Sequence, residues 1–212
     1  YKTNTVYWFE YEPLKWRVVD GEQGIAVSES LVDAQAFANE VYKIENLYYA
    51  DQSGETAANS YADSTIADWL NGDFMSTAFT EAEKEQLAFS KLGDGDFDKI
   101  FLPSQSEISA LSASELTTSG TDYAKAMGLY AVDGGSFWWL RDSGYYSHYA
   151  CRVSNIGCTD QYGNSVDFTS FGVRPAIRLD GGIGGSYTAT FDYENGKTIS
   201  DWYVSGEAIA AP

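Results

Sequence analysis

The 212 residues include a single histidine, two cysteines, four prolines and two methionines. One histidine leaves little material for a His-rich metal site or a His-based catalytic triad. Two cysteines do not fix a redox compartment. Basic side chains are also scarce, 13 against 31 acidic ones, for a formal net charge of −18. This argues against a nucleic-acid partner, because phosphate neutralisation needs clustered Lys and Arg. No run approaches the roughly 18 apolar residues of a membrane span, so direct membrane insertion is not expected. A signal-peptide pattern is missing too. Residue 1 is Tyr rather than Met, so that absence says nothing about the parent protein. What the chain does have is 16 Tyr, 6 Trp, 20 Gly and a hydrophobic fraction of 44%. That fraction makes it globular despite its charge, and the length suits one large domain, or one domain plus a fragment.

Alternation and turn chemistry predict strands at the start. Tyr7, Phe9 and Tyr11 alternate, and Trp16, Val18 and residues 25–27 flank the turn-like Asp20-Gly21-Glu22-Gln23-Gly24. Ile66, Trp69 and Leu70 at i, i+3, i+4, after the caps Asp63 or Ser64, predict a helix. Thr80-Glu81-Ala82-Glu83 is a capping box opening a second helix. Ser104-Gln105-Ser106-Glu107 predicts a third, after a strand at 100–102, and residues 121–127 a fourth, stopped by Gly128. Residues 181–186 form a Gly-rich linker, and 187–212 a β-hairpin tail turning at Glu194-Asn195-Gly196-Lys197. Strands and helices mix without a βαβ rhythm, which predicts an α+β fold.

Several segments, in order and spacing, resemble an uncharacterised bacterial domain family. Its members have a C-type-lectin-like fold of the kind used by formylglycine-generating enzymes. The matching pieces are Leu14-Lys15-Trp16-Arg17-Val18-Val19-Asp20, Ile66-Ala67-Asp68-Trp69-Leu70-Asn71 with Phe74 and Ala78-Phe79, and Asp98-Lys99-Ile100-Phe101-Leu102-Pro103-Ser104. Further on come Tyr123-Ala124-Lys125-Ala126-Met127-Gly128, Trp138-Trp139-Leu140-Arg141 and Gly172-Val173-Arg174-Pro175-Ala176. The family usually reads Ser-Pro-Gly after the Trp-Trp-Leu-Arg run, where this chain has Asp142-Ser143-Gly144. The resemblance implies a C-type-lectin-like domain over 1–180, with short helices around small antiparallel sheets. Thr190-Phe191-Asp192, Asn195-Gly196 and Gly206-Glu207 resemble the opening of a β-rich repeat of bacterial surface proteins. A truncated repeat and a simple C-terminal hairpin both remain open for the tail.

Residues 142–171 have an unusual composition. Lys, Glu, Gln, Met and Trp make up 36 of the 212 residues, so about five belong in thirty positions. Only Gln161 occurs, while both cysteines and the histidine fall inside. Mutating the adenines of an AAC-type codon yields every residue type found there except that glutamine, and never any of those five. The pattern resembles the variable proteins of diversity-generating retroelements, in which a reverse transcriptase mutates adenines and a C-type-lectin fold serves as scaffold. The alternative is a Gly-, Ser- and Asn-rich loop region that is low in these types by chance.

Under the diversified reading, the ligand-binding positions are Tyr145, Tyr146, Ser147, His148, Tyr149, Cys151, Arg152, Ser154, Asn155, Cys158, Thr159, Asp160, Tyr162, Asn164, Ser165, Asp167, Phe168, Thr169, Ser170 and Phe171. Their side chains should be exposed on one face. Ala150, Val153, Gly157, Gly163, Val166 and Gly172 should form a fixed, buried or turn-forming skeleton. Rigid aromatic area interspersed with adaptable hydrogen-bonding groups is the composition of antibody paratopes. Trp138, Trp139 and Leu140 read as core. Arg141 and Arg174 are placed to brace the window's loops.

Other chemistry finds less support. Cys151 and Cys158 suggest the copper-binding cysteine pair of formylglycine-generating enzymes, but their spacing is wider. A disulfide or two incidental cysteines are the other readings. His148 has no evident partner for general-base work. Asp94, Asp96 and Asp98 alternate as in a calcium loop, yet Lys99 and Gln105 stand where an EF-hand needs Gly and Glu, leaving a looser calcium site or an ordinary acidic turn. Residues 181–185 lack the Lys-Ser or Lys-Thr of a phosphate loop. The expectation is a non-enzymatic module, without cofactor or metal, that binds a protein or glycan at a cell surface. A conventional surface module with a fixed site is the alternative, and a copper-dependent oxidase a more distant one.

Overall fold

The computed structural model describes residues 14–39, 59–93 and 97–179, and the backbone of strands 187–192 and 198–203. In chain order, β1 (Trp16–Asp20), β2 (Ile25–Ser28) and β3 (Asp33–Ala34) precede helices α1 (Thr65–Trp69), α2 (Met75–Ala78) and α3 (Glu81–Gln86). Next come β4 (Ser90–Lys91), β5 (Phe97–Asp98), β6 (Ile100–Phe101), α4 (Ala113–Leu116) and α5 (Asp122–Ala126). The last part is all strand: β7 (Ala131–Val132), β8 (Gly135–Ser136), β9 (Trp138–Ser143), β10 (Tyr149–Val153), β11 (Thr159–Ser165), β12 (Gly172–Val173) and β13 (Ala176–Arg178), then β14 (Tyr187–Asp192) and β15 (Thr198–Tyr203). Small sheets with few short helices make this an α+β fold.

Two sheets carry the described domain. One is antiparallel, in the order β1-β2-β13-β6, and the other runs β11-β10-β9-β12-β3. Only β9 and β12 pair in parallel there, through Trp138 and Gly172. Each sheet joins strands from early and late in the chain. β2 pairs with β13 and β3 with β12, so the segment 172–178 passes from one sheet to the other beside 25–34. Arg174 sits at that crossing and is fully buried. Its Nε donates to Ser28 O at 2.8 Å, one terminal nitrogen donates to Glu115 O at 3.2 Å, and the guanidinium lies 5.0 Å from the Trp138 ring. Burial lowers its pKa to about 10, opposed by the nearby Glu29, so it stays charged at neutral pH.

The local signals explain most boundaries. Asp20 Oδ1 accepts from Gln23 N at 2.9 Å, and Gly24 takes φ +73°, closing the β1–β2 turn. Ser64 Oγ caps α1 by accepting from Ala67 N, and Thr80 with Glu83 forms the capping box of α3. Thr121 caps α5, and Gly128 leaves it at φ +102°. Between α1 and α2 the helix widens into a π turn over Leu70–Phe74. Asn71 Nδ2 donates to Ala67 O at 3.1 Å and to Ile100 O at 2.8 Å, so a side chain enters the helical ladder and ties it to β6.

The helix expected at 104–107 is a correction. Its capping contacts exist, with Ser104 N donating to Glu107 Oε2 at 2.8 Å and Glu107 N to Ser104 Oγ at 3.3 Å, yet the chain continues as successive turns. Ser109 Oγ bonds Ser106 O at 2.7 Å, a local competitor for the helical ladder, and the Glu107 carboxylate is held by Arg141. The short α4, with its own Ser112–Glu115 capping box, was not anticipated. β14 and β15 pair as the expected hairpin over six residues each. The strand expected at 7–11, the aspartates Asp94 and Asp96, the linker 181–186 and the turn 194–197 lie outside the described residues. Among the described residues, no helix is long and apolar enough to cross a membrane.

Trp138, Trp139 and Leu140 are completely buried, as expected for core. Asp33 on β3 is an electrostatic cost within the core. It is buried, burial raises its carboxyl to about 6, and one hydrogen bond, from Ala34 N at 2.7 Å, partly offsets this. The folded-state pKa exceeds the unfolded value of 3.8, so the penalty is absent below pH 4, grows between 4 and 6, and is complete above. Asp33→Asn keeps an acceptor for Ala34 N. The variant should be more stable than the parent by roughly 2–3 kcal/mol at pH 7.5 and equal to it near pH 3.5. Urea unfolding of both proteins at the two pH values measures this.

Candidate functional site

The window begins at the end of β9 and covers β10, β11 and their loops. β10 alternates half-buried Tyr149 and Arg152 with buried Ala150, Cys151 and Val153. β11 is the sheet's edge strand. Opposite Cys151, three residues of β11 face one of β10, and Gly163 takes φ +80° in that bulge. A Cβ there would lie 2.3 Å from Ala150 O. Gly157, in the β10–β11 turn at φ +74°, approaches Ala113 O so closely that a Cβ would sit 2.0 Å from it. Ala150, Val153, Val166 and Gly172 are buried. All six expected skeleton positions are therefore packed or conformationally restricted.

At one end, the loop 144–149 and β11 assemble a tyrosine cluster. Tyr145 stacks on Tyr162 with centroids 5.3 Å apart, and Tyr146 meets Tyr162 edge-on at 5.5 Å. Tyr149 packs against Tyr146 at 5.3 Å, and His148 lies against both rings, 5.7 Å from Tyr146 and 4.6 Å from Tyr149. Tyr145 is 72% exposed and Tyr162 51%. A hydrogen bond with Tyr146, then desolvation and the neighbouring phenols, push Tyr162 up to about 12, so its hydroxyl stays protonated. Burial lowers the His148 pKa, against the opposing charge of Asp167, and keeps its imidazole neutral at neutral pH.

A second cluster links Phe168 to Phe171 (5.0 Å), Phe171 to Phe137 (5.4 Å) and Phe137 to Tyr130 (6.4 Å). Arg152 lies over Phe137 at 4.8 Å and pairs with Asp160 Oδ2 at 2.9 Å. Asp160 Oδ1 accepts from Tyr162 N at 3.0 Å and Gly163 N at 3.4 Å, so this carboxylate supports the bulge.

Seven of the twenty expected ligand positions are exposed: Tyr145, Cys158, Thr159, Tyr162, Asp167, Phe168 and Thr169. Eleven are half-buried: Tyr146, Ser147, His148, Tyr149, Arg152, Ser154, Asn155, Asp160, Asn164, Ser165 and Ser170. Two are corrections. Cys151 is 1% exposed and Phe171 3%, and both belong to the core. Cys151 points inward because, two residues before the buried Val153, it shares that residue's face of β10, and Phe171 because it fills the space beside Trp139, 4.8 Å away. Cys151→Tyr should cost about 1–3 kcal/mol through overpacking. Cys158→Tyr, at an exposed turn position, should stay within about 0.5 kcal/mol of the parent, as chemical denaturation would show.

Both cysteines are free. Ser154 N bonds Cys158 O at 2.8 Å, which puts Cys158 opposite residue 154. Cys151 lies three residues back along β10, about 10 Å at strand spacing, beyond the reach of a disulfide or of one ion shared by two sulfurs. Burial first, then Asp142 and Asp160, raise the Cys151 thiol to about 11, the protonated and unreactive form. Among the described residues, no group of three His, Cys, Asp or Glu side chains could hold a metal ion.

The bracing of the window's loops expected of Arg141 and Arg174 is a correction: their side-chain hydrogen bonds go to Leu102, Glu107, Ser28 and Glu115, all outside residues 142–171. Arg141 grips Glu107 with two terminal nitrogens, one at 2.8 Å, and also donates to Leu102 O at 3.0 Å. Sequence reasoning missed Tyr130, 54% exposed at the end of the second cluster, and Asn59, which is 4% exposed and bonds the tyrosine loop. Asn59 stands in a polar stretch and carries no sequence signal. Open clefts of about 490 Å³ (Met75, Phe89, Phe97, Lys99) and 460 Å³ (Ala62, Asp68, Gly72, Phe97) draw no residue from the window. The window presents aromatic rings and hydroxyls at its surface.

Residues 39–181 match the profile of a family described as a domain of unknown function (DUF6273), and the chain belongs to that family. No curated protein and no solved structure matches the chain. The matched span leaves out β1 to β3, although β2 and β3 pair with β13 and β12, so the folded unit starts upstream of it.

Proposed function

We propose, from the premise of that family membership, that the chain is a non-enzymatic binding module. In this reading it is a C-type-lectin-like scaffold that displays a surface diversified by a retroelement. The supporting observation is the division of labour inside 142–171. Six small or branched residues are buried or held in restricted conformations, while tyrosines, serines, asparagines and a histidine are presented at or near the surface. A scaffold that must tolerate changing side chains needs this separation. The ligand is a protein or glycan met outside the cell, and nucleic acid is disfavoured by the charge. Displayed tyrosine rings supply contact area at low entropic cost.

A second reading, a surface module with a fixed site, draws support from Cys151, Phe171 and the Arg152–Asp160 pair, which are structural although they lie inside the window. The coding DNA separates the two. Diversification requires codons for the exposed residues that end in a common base, a near-identical repeat differing at adenines, and a reverse-transcriptase gene nearby. A locus without the repeat and the gene leaves the fixed-site module standing.

A further inference from the structure

Beside its ring contacts, the tyrosine loop is held by hydrogen bonds to its backbone. Tyr146 O and Tyr149 O both accept from Asn59 Nδ2, at 3.0 and 2.8 Å, and Ser147 O accepts from Asn59 N at 3.0 Å. His148 O accepts from Val166 N at 3.0 Å, Tyr145 N donates to Tyr162 O at 3.1 Å, and Gly144 N donates to Tyr149 O at 2.7 Å. Ser143 Oγ closes the ring of bonds on Asn59 O at 3.3 Å. Four consecutive carbonyls, 146 to 149, are thus satisfied without using any side chain of the loop. Asn59 is buried and lies more than 80 residues away in sequence. Gly144 permits the closure, since a Cβ there would press on Tyr149 at 2.8 Å.

We infer that Asn59 is a positioning residue that fixes the shape of loop 144–149 independently of which side chains the loop displays. The inference rests on the display reading and adds to it the device by which varied side chains keep one geometry. A buried amide with two donors fits two converging carbonyls. A carboxylate of the same shape offers none and would repel them.

Amide hydrogen exchange on the ligand-free protein tests this. Replacing Tyr145, Tyr146, Ser147 and His148 together with alanine should leave protection at Gly144, Tyr149 and Val166 within about threefold of the parent, because the clamp is untouched. Asn59→Asp should speed exchange at Gly144 and Tyr149 at least tenfold, while Arg152 and Val153 on β10 keep theirs. In Asn59→Ala the raised Tyr162 pKa, about 12, should fall toward the ordinary value near 10 as Tyr146 moves away. Loss of loop protection in the four-alanine protein overturns the inference, and so does unchanged exchange in Asn59→Asp. Neither result bears on whether the coding sequence is diversified, so the clamp and the display reading can fail separately.

Discussion

Gly163→Ala should destabilise the protein by at least about 3 kcal/mol, although it adds only one methyl group. Left-handed backbone costs a non-glycine residue about 1–2 kcal/mol, and here the methyl group also meets a backbone carbonyl rather than open space. At φ +80° its Cβ would lie 2.3 Å from Ala150 O and 2.8 Å from the Ala150 carbonyl carbon. Those atoms belong to the β10–β11 ladder and cannot move without shifting its register. For a domain of this size the change corresponds to a melting temperature lower by roughly 10 °C, measurable by thermal unfolding. Tyr145, stacked against the same strand, should behave in the opposite way. Tyr145→Ala removes far more atoms but should stay within about 0.5 kcal/mol, because that ring is 72% exposed.

Trp139→Ala should have the largest effect, a loss of about 3–5 kcal/mol in urea or thermal unfolding. The indole is completely buried, packs 5.9 Å from Phe37 and 4.8 Å from Phe171, and donates to Gln35 O at 3.0 Å. Truncation leaves a cavity under the window and strands a carbonyl beside β3. Phe171 loses its main support, so the second aromatic cluster should loosen as well. The tyrosine cluster, which rests on β10, β11 and Asn59 instead, should keep its ring couplings in near-ultraviolet circular dichroism.

The fold was legible where short-range chemistry decides. Ser64 and Thr80 cap the helices predicted from them, Thr121 caps the helix predicted over 121–127, and the turns at 20–24 and 128 follow from their aspartate and glycines. Ser104–Glu107 misled because its capping contacts form without a helix behind them. A capping box satisfies local donors wherever the chain bends, and only the tertiary hold of Arg141 on Glu107 sets the path of the chain beyond it. Of the site, the skeleton glycines and the displayed tyrosines could be read from composition and spacing. The inward turn of Cys151 was missed although its i, i+2 spacing to Val153 on β10 carries the signal. Asn59 was invisible, because its role exists only where two distant segments meet. Residues 1–141 carry a net −14 and residues 142–174 a net −1, so most of the charge that favours solubility lies outside the window.

The central claim is that the displayed side chains can be exchanged without cost to the fold. Its most direct test is the thermal unfolding of a panel of variants. Each would carry a random draw of Tyr, Ser, Asn, Asp, His, Gly or Phe at Tyr145, Tyr146, Ser147, His148, Thr159, Tyr162, Asp167 and Phe168. Cooperative unfolding is expected throughout, with midpoints clustered within about 5 °C of the parent. Midpoints falling by more than about 10 °C in most variants, or widespread failure to fold, would show that these residues hold the structure together and would contradict the claim.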